Sequence, residues 1–171
     1  MDYQRTFDEQ VAVAARLGRG EIDVLANVHI EHWRDGQLFA VRDGHNLVTS
    51  AGKAAVAGLI NGVISNFFEY VAIGIGAVAA VAGDTTLGIE ITTYGGSRAS
   101  GTTSRSTLNV TDDTANVAKT FTITAGGTFA VTEAGLLDSA STGILLARQV
   151  FSALNVIVSD TLAITWKITC A

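Results

Sequence analysis

Thr161-Leu-Ala-Ile-Thr-Trp-Lys-Ile-Thr169 is the stretch whose reading decides the fold. Leu162, Ile164, Trp166 and Ile168 fall on one side of a period of two, and Thr161, Ala163, Thr165, Lys167 and Thr169 fall on the other. That alternation describes a strand with one buried face. Upstream, Thr120-Phe-Thr-Ile-Thr124 alternates in the same way, Gly126-Gly127 supplies a turn, and Thr128-Phe-Ala-Val-Thr132 resumes the pattern. The three pieces predict a hairpin with threonine on its exposed rows. Together these stretches predict an all-β, jelly-roll-like β-sandwich of about eight strands. Its expected core is Leu162, Ile164, Trp166, Ile168, Phe121, Ile123, Phe129 and Val131.

Working outward, Ile22 to Glu31 and Gln37 to Arg42 are β-rich runs on either side of Arg34-Asp-Gly36, a strong hairpin signal. Thr49 or Ser50 can cap a short helix that runs through Lys53-Ala-Ala-Val-Ala-Gly-Leu-Ile60 until Asn61-Gly62 stops it. Its stripe of Val56, Leu59, Ile60 and Val63 is expected to cover an edge or open end of a sheet. Phe67 to Gly76 reads as a core strand ending in glycines, and Tyr94 to Ala118 as a loop followed by a modest strand. Before all of these, Phe7, Val11, Ala14 and Ala15 recur at helical spacing within Thr6 to Leu17, and Gly18 and Gly20 end the pattern. The expected organisation is an N-terminal arm or short helix over residues 1–20 and a single β-sandwich domain over 21–171.

Composition narrows the function classes. A chain of 171 residues with 48% hydrophobic residues holds one good core, and only 16% charged residues leaves Ser, Thr and Gly to supply much of the polar surface. Such a surface suits burial against neighbours. Residues 1–45 hold five of the eleven basic and eight of the sixteen acidic residues, so the charge is concentrated at the N-terminal side. With a net charge of −5 and no basic patch, nucleic acid is not an expected partner. Tyr70 to Gly83 is the longest weakly polar run, but Gly74 and Gly76 interrupt it and it falls short of a membrane span, so no membrane is expected either. The charged N-terminus carries no apolar signal segment, which makes the Asn109-Val-Thr111 sequon a chance match. Cys170 is the one cysteine and has no partner for an internal disulfide.

The residues that could carry chemistry form no catalytic pattern. G-x-S-x-G and H-E-x-x-H motifs are absent, and Cys170 has no histidine near it in sequence. His29 and His32, three apart on a strand, point to opposite faces, so with His45 they make a poor metal set. Gly74 and Gly76 lack the rest of a phosphate-binding motif and read as the tight end of a strand. Thr111-Asp-Asp113 has too few ligands for calcium and reads as a turn. Among the acidic residues Glu69, Glu90, Glu133, Asp138 and Asp160, Glu133 is placed to bind backbone N–H groups or to pair with an arginine such as Arg148. No enzyme, cofactor, metal or catalytic residue is expected.

Six blocks occur in a recognisable order. They are His45-Asn-Leu-Val-Thr-Ser-Ala-Gly-Lys53, Tyr70 to Gly76, Asp84-Thr-Thr-Leu-Gly-Ile-Glu90, Thr132-Glu-Ala-Gly-Leu-Leu-Asp138, Gly143 to Phe151, and Asp160 to Trp166. In this series the chain resembles a family of small virion structural proteins of tailed bacteriophages, over Glu21 to Thr169. The family's loop after the glycines commonly contains proline, and here Gly76-Ala-Val-Ala-Ala-Val-Ala-Gly83 stands in its place. The resemblance implies a capsid decoration or cement protein on the outer surface of the head, made in the host cytoplasm. Its implied partners are the major capsid protein and further copies of itself in a homotrimer, with residues 1–20 reaching the shell. The other role found among relatives of this kind is a tail or tail-fibre-associated structural or adhesion protein. The lack of repeats and an aromatic content of 7% fit that role less well.

Overall fold

The computed structural model describes residues 23–170, so the arm over residues 1–20 and the helix expected over Thr6 to Leu17 lie outside the described residues. Asp35 and Gly36, both with positive φ (51° and 74°), make the tight turn expected between β1 (Val24–Arg34) and β2 (Gln37–His45). After β3 (Leu47–Val48) comes α1 (Ser50–Ile60), whose N-cap Thr49 accepts the Gly52 N–H through Oγ1 at 2.9 Å. The remaining strands are β4 (Tyr70–Gly74), β5 (Ala99–Ser100), β6 (Thr102–Ser106), β7 (Thr114–Thr122), β8 (Phe129–Leu137), β9 (Leu145–Val156) and β10 (Thr161–Cys170). They form two five-stranded antiparallel sheets, β2-β1-β10-β7-β6 and β3-β9-β8-β4-β5, which pack as a sandwich.

The expected all-β sandwich is what the chain forms, with ten strands among the described residues. Leu162, Ile164, Trp166 and Ile168 project from β10, at the centre of its sheet, into one core with Phe121, Ile123 and Val131. Phe129 packs against that core but is only half-buried. Thr120, Thr122, Thr124 and Thr128 are exposed, as the alternation predicts.

Two expectations are corrected. The stretches around Phe121 and Phe129 do not pair as a hairpin: β7 lies between β10 and β6, whereas β8 lies between β9 and β4 in the other sheet. Gly126 (φ 92°) turns the chain from one layer to the other. Alternation marks the buried face of a strand and is silent about its neighbour, and both placements bury the same rows. In α1 the buried residues are Gly52 and Ala55, with Val56 and Leu59 half-buried, while Ile60 and Val63 are largely exposed. Gly52 sets this rotation. An added Cβ there would stand 2.6 Å from the Leu146 carbonyl oxygen, so the helix lies on β9 at a distance only glycine permits.

The two sides of the sandwich differ. Beyond Ala147 and Arg148, which pair with β3, β9 has no strand partner on its outer edge among the described residues, and β2 lies beside it. Arginines occupy that edge: Arg42 Nε donates to the Ser152 carbonyl at 3.0 Å, Arg42 Nη2 to Ala153 at 3.3 Å, and Arg34 Nη2 to Asn155 at 3.0 Å. On the opposite side the chain passes from β5 in one sheet to β6 in the other through Gly101, and all five residues of β6 are exposed.

Candidate functional site

Where β4 ends, the chain leaves the sheet and returns at Glu90. The Ile75 N–H donates to the Ile89 carbonyl and the Ile91 N–H to the Ile73 carbonyl, both at 2.9 Å, so the excursion is closed at its base by a short antiparallel ladder. The loop between lies on the face of the second sheet that points away from the main core. Leu87 plugs it there, packing on Ala72, Leu137 and Leu145. Gly135 makes room for the plug, since a Cβ at that position would come within 2.5 Å of Leu87 Cδ1.

A fully buried carboxylate holds the loop down. Glu133 on β8 accepts the Gly76 N–H (2.9 Å) and the Ile89 N–H (2.8 Å) on Oε1, and the Gly88 N–H (2.9 Å) on Oε2. Arg148 on β9 donates to Glu133 Oε2 through Nε at 2.8 Å and to Asp84 Oδ2 through Nη1 at 2.8 Å, and its Nη2 reaches the Val78 carbonyl at 3.0 Å. Both alternatives anticipated for Glu133, backbone N–H groups and an arginine, are therefore realised together. Gly74 and Gly76 do line an anion site, but the anion is the protein's own: a Cβ on Gly74 would stand 2.5 Å from Glu133 Oε1. Arg98 ties the far end of the loop, pairing with Glu90 Oε2 at 2.6 Å and reaching the Ser139 and Thr142 carbonyls. The Ser50 N–H at the start of α1 donates to the Ala82 carbonyl at 2.8 Å.

A loop anchored in this way presents apolar side chains outward. Val78 is 79% exposed, Val81 57%, Ile89 56% and Ile75 41%. Four apolar side chains on one excursion thus face solvent. Burial opposes the negative charge of Asp84, but the Val81 N–H and the Arg148 guanidinium outweigh it and hold the carboxyl below its usual range. Beneath the loop Glu133 and Asp84 share the single Arg148 guanidinium, which leaves one negative charge in excess there.

The other candidates are dispersed. At the far end of β1, Asp160 accepts from Arg34 Nη2 and His32 Nε2, each at 2.7 Å, and from the Ile157 N–H at 3.0 Å, which fixes the turn before β10. Its carboxyl is held well below the normal range, chiefly by the Arg34 hydrogen bonds. Asp138 accepts the Ile144 N–H across another turn at 2.6 Å. Asp113 accepts the N–H groups of Leu108, Asn109 and Val110, forming the turn expected at Thr111 to Asp113, and the Val110 bond leads in pulling its pKa down to about 2. His32 is buried beside Asp160, whereas His29 lies on the other face between Asp43 and Glu31. Among the described residues no three His, Cys, Asp or Glu side chains gather as a metal site. Among the described residues Glu69 joins none of these networks, and Cys170 is exposed at the end of β10.

The depressed carboxyls give a pH signature. A folded-state pKa below the unfolded value of 3.8 adds stability that is complete above 3.8 and is lost as pH falls through the folded value. His29 acts in the opposite sense. Burial opposes its charge, but the Asp43 and Glu31 carboxylates outweigh it and raise the pKa, so its contribution is complete below 6.5 and fades above. Its half-exposed position keeps that term small. The thermal midpoint is expected to be nearly flat from about pH 5 to 6.5 and to fall between pH 3.8 and 2 as Asp113 and its counterparts protonate. A melting curve unchanged at pH 2.5 would refute the carboxylate clamps.

Compared with known proteins, the chain matches no family model, and no curated protein and no solved structure is significantly similar to it.

Proposed function

We propose that the chain is a structural component of a tailed-bacteriophage virion, in the first place a capsid decoration or cement protein that binds and stabilises the head shell. One observation supports this most: an apolar loop is held rigid in solvent by buried charges, and the clamp is built from the sequence blocks that carry the resemblance. Gly76 comes from the second block, Asp84, Gly88 and Ile89 from the third, Glu133 from the fourth and Arg148 from the fifth. Holding an apolar surface ready for contact suits an assembly protein, since preorganisation lowers the entropy lost on association. The jelly-roll-like part of the reading draws on the pairing of the first and last strands, β1 and β10, within one sheet.

In this proposal the partners are a second and third copy of the chain and the major capsid protein. The loop from Ile75 to Ile89 joins protomers, and residues 1–20 attach the trimer to the shell. Val78→Asp with Val81→Asp is expected to turn a trimer into a monomer in sedimentation velocity while leaving the thermal unfolding of the β body nearly unchanged. Both side chains are exposed, so the charges carry no folding penalty in the monomer. Deleting residues 1–20 is expected to leave a trimer that no longer co-pellets with stripped capsids. Wild-type protein that sediments as a monomer, and co-pellets equally well with and without the arm, would defeat the proposal. A copy number matching the positions of the shell supports the head, and a handful of copies per particle supports the tail-associated alternative.

A further inference from the structure

Asn61-Gly62, the pair that ends α1, is the one place in the chain where an asparagine precedes glycine. The other asparagines are followed by Val, Leu or Phe, whose side chains crowd the next peptide nitrogen. Asn61 and Gly62 are exposed, and so are their neighbours, Ile60 at 73% and Val63 at 80%. Gly62 has φ 75°, and a Cβ added to it meets nothing within 4 Å, so solvent surrounds this peptide. The Asn61 carboxamide is tied to the same turn, since its Oδ1 accepts the Val63 N–H at 3.1 Å.

We propose that Asn61 is a site of spontaneous modification, converting to aspartate and isoaspartate through a cyclic imide closed by its own backbone. The Gly62 nitrogen attacks Asn61 Cγ. The new N–C bond forms, the bond from Cγ to the side-chain nitrogen breaks, and ammonia leaves with the proton that the Gly62 N–H gives up. Water then adds to either carbonyl of the imide and breaks its bond to the ring nitrogen. Opening on one side leaves aspartate in a normal chain, and opening on the other leaves isoaspartate, with the backbone running through the side-chain carbon. One water is consumed and one ammonia released, with no oxidant or reductant. Negative charge that develops on Oδ1 in the first step falls on an oxygen that already has a donor in the Val63 N–H. Glycine places no side chain across the path of attack.

The folded turn gates the reaction. Asn61 has ψ 2°, which turns the Gly62 nitrogen away from Cγ, so the attack needs a rotation about the Asn61 Cα–C bond. Little resists that rotation. The Gly62 N–H reaches the Leu59 carbonyl at a long 3.4 Å, and the bond from the Ile64 N–H to the Gly58 carbonyl, at 3.1 Å, closes the turn. Exposed terminal turns of this kind open at small cost in free energy. The product then disfavours closing again: the last turn of α1 holds no basic residue, and a carboxylate placed there meets the negative end of the helix dipole. Conversion therefore loosens the end of α1 and adds a negative charge to an already acidic chain.

The test uses the purified full chain, held in mildly alkaline buffer and sampled over days. Ammonia release is expected together with conversion of the fragment that holds Asn61, ahead of every fragment holding another asparagine. Isoaspartate in that fragment is read by methyl transfer from an isoaspartyl methyltransferase, and the Ile64 amide of the converted chain is expected to lose protection from hydrogen exchange. Asn61→Gln is expected to abolish the early ammonia release and the methyl transfer, because its longer side chain has to close a larger ring. The exposed site lets that variant melt as the wild type does. An Asn61 fragment unchanged while other asparagines convert, or ammonia released equally by Asn61→Gln, would overturn the proposal.

Discussion

Glu133→Ala is expected to destabilise the protein by about 3–5 kcal/mol, the cost of removing one partner from a buried ion pair. Three backbone N–H groups and the Arg148 guanidinium all converge on this fully buried carboxylate, and alanine leaves every one of them without it. Asp84 retains its bond to Arg148 and softens the loss only in part. At the size of this domain the change corresponds to a fall in thermal midpoint of about 6–20 °C. Hydrogen exchange supplies the local readout: the Gly76, Gly88 and Ile89 amides are expected to lose protection first. Glu133→Leu combined with Arg148→Met also leaves Asp84 without its guanidinium and the three N–H groups without an acceptor, so it is expected to recover little of the loss. If the single variant melted within a degree or two of the wild type, the carboxylate would not be what holds the loop.

Trp166→Ala is the second large effect, again about 3–5 kcal/mol. Trp166 is fully buried at the centre of β10, opposite Val28 on β1 and Val117 on β7, with Ile164 and Ile168 on the same face. Neighbours drawn from three strands cannot collapse into the space the indole vacates, so the cavity term adds to the lost burial. The same residue carries a contrary contribution, since its Nε1–H is buried with no hydrogen-bond partner among the described residues. Trp166→Phe removes that unsatisfied donor along with part of the ring, and is therefore expected to cost much less than the alanine change, about 1–2 kcal/mol. Urea melts of the two variants measure the comparison, and an equal loss in both would contradict it.

The sequence made some features of this molecule plain and concealed others for physical reasons. Trp166 and its neighbours were legible because a half-buried strand repeats every two residues, and Asp35-Gly36 because a two-residue turn requires positive φ. The partnership of β7 with β10 was not, since strand order depends on contacts distant in sequence that leave no periodic trace. The rotation of α1 turned on Gly52, a residue whose importance lies in the Leu146 backbone it touches. For the loop, Glu133 and Arg148 could be singled out as a charged pair inside apolar strands, 15 residues apart in sequence. Asp84, Gly88 and Ile89 could not, because their role is set by a backbone excursion that folds over the sheet. Nothing in the sequence singles out Arg42 and Arg34 as edge residues, because their bonds to the β9 carbonyls arise only where two sheet margins meet.

Those arginines also bear on how many ways this molecule can stick to itself. Strand-by-strand growth into a fibre needs two open margins per molecule, one to accept a neighbour and one to offer. Here guanidinium groups occupy carbonyls on the β9 margin beside β2, and among the described residues β6 is the fully exposed strand at the other end of its sheet. Two copies meeting β6 to β6 would use up both free margins, and the chain of additions would stop there. A protein with that property is expected to stay free of fibres at high concentration.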